Sequence, residues 1–215
     1  SAYCAGGIVG TGDPSIINCR ADVNVTVNAP ASTSKSFTVA AGGLIGDISF
    51  NNEHDNTITN CTVRGTVTVN SQDLSGNDFH IGGVAGLAFA NVMDCTSYAE
   101  INSTSENEVR VGGLVGAVGA GSKITNCSVY GTVHGKKNNF VGGAYGYAVG
   151  NHERVHFGGE IEDNIPDVGT GAVGIFIGHA DGVFQTKNCS YSKVDGSFPV
   201  IGKDESKGTQ DIKMK

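Results

Sequence analysis

The chain has 215 residues, of which 33 are glycine, 4 are proline and none is tryptophan. Glycine is at roughly double its average share of about 7% but follows no three-residue period, which excludes collagen. With 39% apolar and 16% charged residues a disordered chain is excluded, and a net charge of −7 lacks the basic excess that nucleic-acid binding needs.

Taken in chain order, the sequence repeats itself. A glycine motif, G-G-x-x-G, first stands at Gly6-Gly7-Ile8-Val9-Gly10 and is followed by Asn18-Cys19. The second copy has Gly42-Gly43-Leu44-Ile45-Gly46 and Asn60-Cys61; the third has Gly82-Gly83-Val84-Ala85-Gly86 and Asp94-Cys95. The fourth has Gly112-Gly113-Leu114-Val115-Gly116 and Asn126-Cys127. In the fifth, Gly142-Gly143-Ala144-Tyr145-Gly146 leads to Arg154-Val155 where Asn-Cys would stand. The sixth, Gly174-Ile175-Phe176-Ile177-Gly178, has lost its second glycine but keeps Asn188-Cys189. Its offset from Gly174 to Cys189 is 15 residues, the same as from Gly112 to Cys127. Successive first glycines lie 36, 40, 30, 30 and 32 residues apart, a period that predicts a solenoid.

Each unit reads as strands. The stretches after Asn-Cys alternate Val and Thr with period two, as in Val63-Arg64-Gly65-Thr66-Val67-Thr68-Val69. Counting from the cysteine, positions 0, +2 and +6 are small or apolar (Cys61, Val63, Val67; Cys127, Val129, Val133) and share one strand face. The apolar residue three positions earlier (Ile16, Ile58, Val92, Ile124) has the opposite parity. A straight strand cannot bury both sets. A corner between them can, and the Asn before the cysteine is a residue that tolerates the left-handed backbone a corner requires. One unit cannot bury its apolar face alone, so the copies must stack. The expected fold is all-β: a parallel β-solenoid, or β-helix, of about six stacked coils over residues 1–202. Crossover rules predict a right-handed coil. Residues 203–215 read as a polar C-terminal tail.

The pattern G-G-[L/V/I]-x-G followed by N-C-x-V-x-G-x-V resembles the GLUG repeat, best in Gly42 to Val67 and Gly112 to Val133. The resemblance implies a bacterial secreted or cell-surface scaffold, of the kind found in adhesin-like proteins and beside IgA-cleaving metallopeptidases. It implies no defined reaction.

Five of the six cysteines (Cys19, Cys61, Cys95, Cys127 and Cys189) occupy one slot of successive repeats, behind Asn18, Asn60, Asn126 and Asn188 in four of them. This predicts an inward column of free thiols, because in-register Cβ atoms about 4.8 Å apart are too distant for disulfides. His152-Glu153-Arg154-Val155-His156 matches H-E-x-x-H, a zinc-peptidase motif whose chemistry needs a helix to bring both histidines to one metal. Glycines flank the segment and the repeat register makes it a solvated strand, so His152, Glu153 and His156 stand as the minor metal-binding alternative. Acidic residues such as Asp13, Asp47, Asp73, Glu100 and Glu160 read as sharing no repeat slot, against a polysaccharide-processing β-helix. Aromatic residues such as Phe50, Phe79, Phe89 and Tyr147 read as scattered.

The sequence therefore predicts a non-catalytic adhesion, ligand-presenting or spacer module with no cofactor. A host or cell-surface glycan or protein is the expected partner, with no nucleic acid and no membrane insertion. The inserts Ala29–Ser36, Asn51–Asn56 and Ser71–Asp78 are the candidate contact loops, since loops tolerate variation.

Overall fold

The computed structural model of the chain describes residues 2–29, 38–48, 56–71, 78–162, 171–194 and 197–215. Within them there is no helix, and every strand pairing is parallel and joins one repeat to the next. The architecture is a β-solenoid with three faces.

The first face stacks Ala2–Gly6, Thr38–Gly42, Asp78–Gly82, Val109–Gly112, Phe140–Gly142 and Ala172–Gly174. The glycine pair then turns the chain into the second face, which begins at Val9–Gly12, Ile45–Ile48, Ala85–Ala88 and Val115–Val118. That face continues in Ile16–Ile17, Thr57–Thr59, Asn91–Met93 and Lys123–Thr125; in the fifth and sixth coils the two parts fuse as Tyr145–Glu153 and Ile177–Lys187. The third face follows the Asn corner: Arg20–Ala29 and Thr62–Ser71, then shorter strands from Thr96, Ser128, His156 and Cys189.

Both corners have physical causes in the sequence. At the first, a Cβ on Gly43 would lie 2.3 Å from the Gly83 carbonyl oxygen and 2.3 Å from Val63 Cγ1, so no side chain fits. The same close approach lets Gly43 N donate to Gly83 O at 2.9 Å, and Gly113 N to Gly143 O at 3.0 Å. At the second, Asn18, Asn60, Asp94, Asn126, Arg154 and Asn188 all have φ between 53° and 57°. This left-handed bend falls between the two apolar parities, so Ile58 and Cys61, or Ile124 and Cys127, are buried in one core. Burying each Val, Ile or Leu of those columns stabilises by about 1.5–3 kcal/mol.

Between the third face and the next first face, the fully buried Asn139 joins successive coils. Its Nδ2 donates to Ser105 O at 3.0 Å and Asn107 O at 2.7 Å, and its Oδ1 accepts from Lys136 N at 2.9 Å.

The stack does not stop at residue 202. Ile201–Ser206 pairs with Ile177–Lys187, and Ile212–Met214 pairs with Cys189–Tyr191, so the expected polar tail supplies a seventh, partial coil. It escaped the repeat count because it carries neither glycine pair nor Asn-Cys, and its exposed Lys203, Asp204 and Glu205 read as tail.

Candidate functional site

The cysteine column runs along the corner between the second and third faces. Register places Cys19, Cys61, Cys95, Cys127, Val155 and Cys189 one above another. All six cysteines of the chain are free thiols. Each column thiol behind the first donates to two carbonyls at the bend: Cys61 Sγ to Thr59 O at 3.2 Å and Ile16 O at 3.5 Å, Cys95 Sγ to Met93 O at 3.1 Å and Ile58 O at 3.6 Å. Cys127 and Cys189 repeat the pattern. Burial pushes the Cys61 thiol up to about 11, and the neighbouring Cys127 thiol together with burial pushes Cys95 up as well. A nucleophile or metal ligand has to be a thiolate. These thiols cap the corner's carbonyls instead.

The H-E-x-x-H segment is split by the corner. His152 lies in Tyr145–Glu153, Arg154 makes the left-handed bend, and His156 begins the third-face strand His156–Phe157. His152 is not solvated as the sequence suggested; it is 2% exposed, in the column of Ile124, and packed between the rings of Tyr145 and Phe184 at 4.7 and 5.1 Å. Its Nε2 contacts Val149 O at 3.1 Å, and burial lowers its pKa to about 4. His156 faces outward, with Nδ1 3.0 Å from Ser190 Oγ. Glu153 pairs with Arg154 and with Lys187 Nζ at 3.9 Å. The two imidazoles do not converge, and among the described residues no group of three or more His, Cys, Asp or Glu side chains is arranged to hold a metal ion.

The outer third face carries what sequence reading missed. Tyr98 and Tyr130 both stand three residues after the cysteine and stack with ring centroids 5.4 Å apart. Arg64, in the same slot one coil earlier, lies 4.2 Å over the Tyr98 ring, and His156 approaches Tyr130 at 5.9 Å. Each of the two rings covers one face of the other, and both tyrosines stay exposed. Slot arithmetic at +3 would have found it.

The same arithmetic corrects the reading of the carboxylates. Thr66, Glu100, Thr132 and Glu160 form one column, five residues after the cysteine slot, so Glu100 and Glu160 do share a slot two coils apart. Between them His134 Nε2 lies 3.4 Å from Glu100 Oε1, while its Nδ1 contacts Glu162 Oε2. Glu100, Thr132, His134, Glu160, Ile161 and Glu162 line a surface cavity of about 340 Å³. Beside these columns run amide and hydroxyl ladders: Asn60 to Asn18 at 2.7 Å, Asn70 to Asn28 at 2.9 Å, and Thr66 to Asn24 at 3.0 Å. Of the acidic residues named in the sequence reading, Asp73 lies outside the described residues.

A second charged zone lies where the first and second faces meet. Arg110 binds Asp78 at 2.9 Å and Glu108 at 3.3 Å, and its guanidinium lies 5.3 Å over Tyr147. This pairing holds the Asp78 carboxyl below its ordinary range. Burial, then the nearby Asp13, raises Asp47, and burial lowers His80 to about 3. Beside it the third motif glycine lets the first and second faces approach closely, a Cβ on Gly116 falling 2.5 Å from Ile81 N.

The loops expected to make contacts, 30–36, 51–55 and 72–77, lie outside the described residues. Their flanking strands are placed. Ala29 and Thr38, Ser71 and Asp78, and Ile161 and Ala172 each close a third face and open the next first face. Connections 30–37, 72–77 and 162–171 therefore all depart from one corner of the stack.

Comparison with known proteins follows the same plan. The family described as the GLUG motif matches residues 1–26 and 107–133, which are the first and fourth coils. In an alignment 132 residues long that covers 55% of this chain, the sequence is 35% identical to halomucin of Haloquadratum walsbyi, an archaeal protein. The chain spans 1% of the length of that relative. No solved structure matches. Both similarities point to a region of a cell-surface protein. The first and fourth coils match the GLUG motif, and the glycine corners, left-handed bends and buried slots of the coils between them repeat the same design.

Proposed function

We propose that the chain is a non-catalytic secreted or cell-surface module that presents variable loops at fixed spacing for adhesion to a glycan or protein. The observation that carries this reading is the shared corner: connections 30–37, 72–77 and 162–171 leave the same edge, while regular coils of five-residue connections separate two of them. A rigid stack holding loops of different length along one line favours contact with an extended surface, and loops on such scaffolds carry recognition. The similarity to a surface protein supports the location. The test is binding of the labelled chain to glycan and cell-surface protein arrays. Binding that drops at least about tenfold when 30–37 and 72–77 are replaced by short glycine-serine links supports presentation by this corner. Binding that survives the replacement moves the contact elsewhere, and no binding to any array reduces the module to a spacer.

A second reading, a polysaccharide-processing surface, is favoured by the gathering of Glu100, His134, Glu160 and Glu162 around one cavity. Paired carboxylates are what glycoside hydrolysis uses. Release of reducing ends from a polysaccharide panel, abolished by Glu100→Gln, would support it.

A further inference from the structure

The fifth corner departs from the repeat in a way the fold does not require. Arg154 bends at φ 53° where Asn18, Asn60, Asn126 and Asn188 bend at 53° to 57°. Left-handed backbone costs a long side chain more than it costs Asn, so a purely structural corner favours Asn. Strain of this kind collects at functional sites. Nor does burial compensate, since the Arg154 side chain is 52% exposed.

That side chain lines a surface cavity of about 600 Å³ built from three successive coils. The fourth coil supplies Asn126 and Ser128, the fifth Arg154 and His156, and the sixth Asn188 and Ser190. These residues stand just before and just after the cysteine slot, so the same amide and hydroxyl flank the cations on both sides. Each of the three coils pairs with a neighbour on either side. His156 is held by hydroxyls at both ring nitrogens: Nδ1 lies 3.0 Å from Ser190 Oγ and Nε2 3.5 Å from Ser192 Oγ. A protonated imidazole donates from both nitrogens, and hydroxyls accept.

The charge here is positive although the chain carries −7. Lys215 also lines the cavity, and Lys123 and Lys187 stand across the same corner on the second face. The nearby carboxylates are engaged: Glu153 by Arg154 and by Lys187 at 3.9 Å, Asp211 by Lys213 at 2.9 Å, and Asp94 by Asn126 Nδ2. Arg154 donates to Glu153 through Nη1, and the rest of its fork of N–H donors suits an oxyanion. Tyr130, 46% exposed, borders the site with its ring 5.9 Å from that of His156. An aromatic ring beside an oxyanion site fits a sugar better than a free ion, because it adds apolar contact with a polar tip.

We propose that this corner binds an acidic glycan, whose sulfate or carboxylate group sits between Arg154 and His156 while the adjoining sugar lies against Tyr130. The inference rests on the adhesion reading and names a class of glycan for it. Its site is the corner between the second and third faces, not the corner from which the loops depart.

The test measures binding of the chain to dextran sulfate and to polygalacturonate, with neutral dextran, inorganic sulfate and a DNA oligonucleotide as further arms. The two acidic polysaccharides should bind, more weakly as salt rises, and neutral dextran should not. Arg154→Asn restores the residue of the neighbouring corners, so its melting temperature should hold or rise while affinity falls at least about tenfold. His156→Ser, which copies the flanking coils, should weaken binding as well. Arg20→Gln removes an exposed cation from the same column as His156, in the first coil, and should change nothing. Burial, then Lys215, holds His156 below its ordinary range, so added dextran sulfate should raise its titration midpoint by NMR. Replacing 30–37 and 72–77 by glycine-serine links should leave this binding intact, so the corner site and the loop reading can fail separately. Unchanged affinity in Arg154→Asn overturns the proposal, as does equal weakening by Arg20→Gln or loss on loop replacement. Inorganic sulfate or the oligonucleotide binding as tightly as the polysaccharides overturns the assignment to a glycan.

Discussion

The corners of the fourth and fifth coils carry different residues and the same backbone. Asn126-Cys127 bends at φ 55°, and Arg154-Val155 bends at φ 53°. Asn126 N donates to Glu153 O and Arg154 N to Lys187 O, both at 2.9 Å. Cys127 and Val155 are equally buried, but only the cysteine can donate to Thr125 O and Val92 O. The ladder of the neighbouring coils therefore sets the bend, and the side chains set its cost. Left-handed backbone costs an ordinary residue about 1–2 kcal/mol, and Asn less.

The largest effect should come from breaking the ladder that makes the two corners alike. Gly113→Val would drive side-chain atoms into Gly143 O and Val129 Cγ1, and should lower unfolding free energy by at least about 3 kcal/mol in denaturant melts. Next is acid. His152, in the fifth coil, replaces the fourth coil's Ile124 and stays neutral in the folded chain down to about pH 4. An unfolded imidazole protonates near pH 6.5, so the unfolded state takes up the proton first. Stability is full above that pH and falls as the pH drops from 6.5 towards 4. Between pH 6.5 and 5 this group should cost roughly 2 kcal/mol, and His152→Leu should flatten the stability–pH curve by that amount. His80, lowered to about 3, adds a loss of the same sign. Making the fourth corner resemble the fifth, Cys127→Val should cost about 0.5–1 kcal/mol, the worth of weak thiol hydrogen bonds. The smallest effect runs the other way: Arg154→Asn should stabilise by about 0.5 kcal/mol in the same melts.

The inward design of the coil was legible because identical demands recur at fixed slots. A glycine pair recurs in five of the six motif copies where backbones touch, Asn recurs in four of the six left-handed corners, and Cys or Val recurs where the corner closes on the core. Outward slots repeat no such demand, so Tyr98 with Tyr130, and Glu100 with Glu160, emerge only when coils are aligned through the cysteine. The seventh coil was illegible for a related reason. Pro199 stands in the slot of the second motif glycine, and the charged strands Ile201–Ser206 and Ile212–Met214 carry neither glycine pair nor Asn-Cys. His152 was misread as solvated because it is a polar residue in a slot, three before the cysteine position, that holds Ile or Val in the first four coils and whose burial the register enforces.

The central claim is that like slots lie in register down one face, and Asn24, Thr66, Glu100, Thr132 and Glu160 make one such column, with Asn24 and Glu160 both exposed. Spin labels carried on unnatural amino acids at Asn24 and Glu160 would report it by pulsed electron resonance. Four steps of about 4.8 Å predict a single distance centred near ~19 Å, broadened by the label linkers. A distribution centred beyond about twice that distance, or one without a single maximum, would contradict the stack.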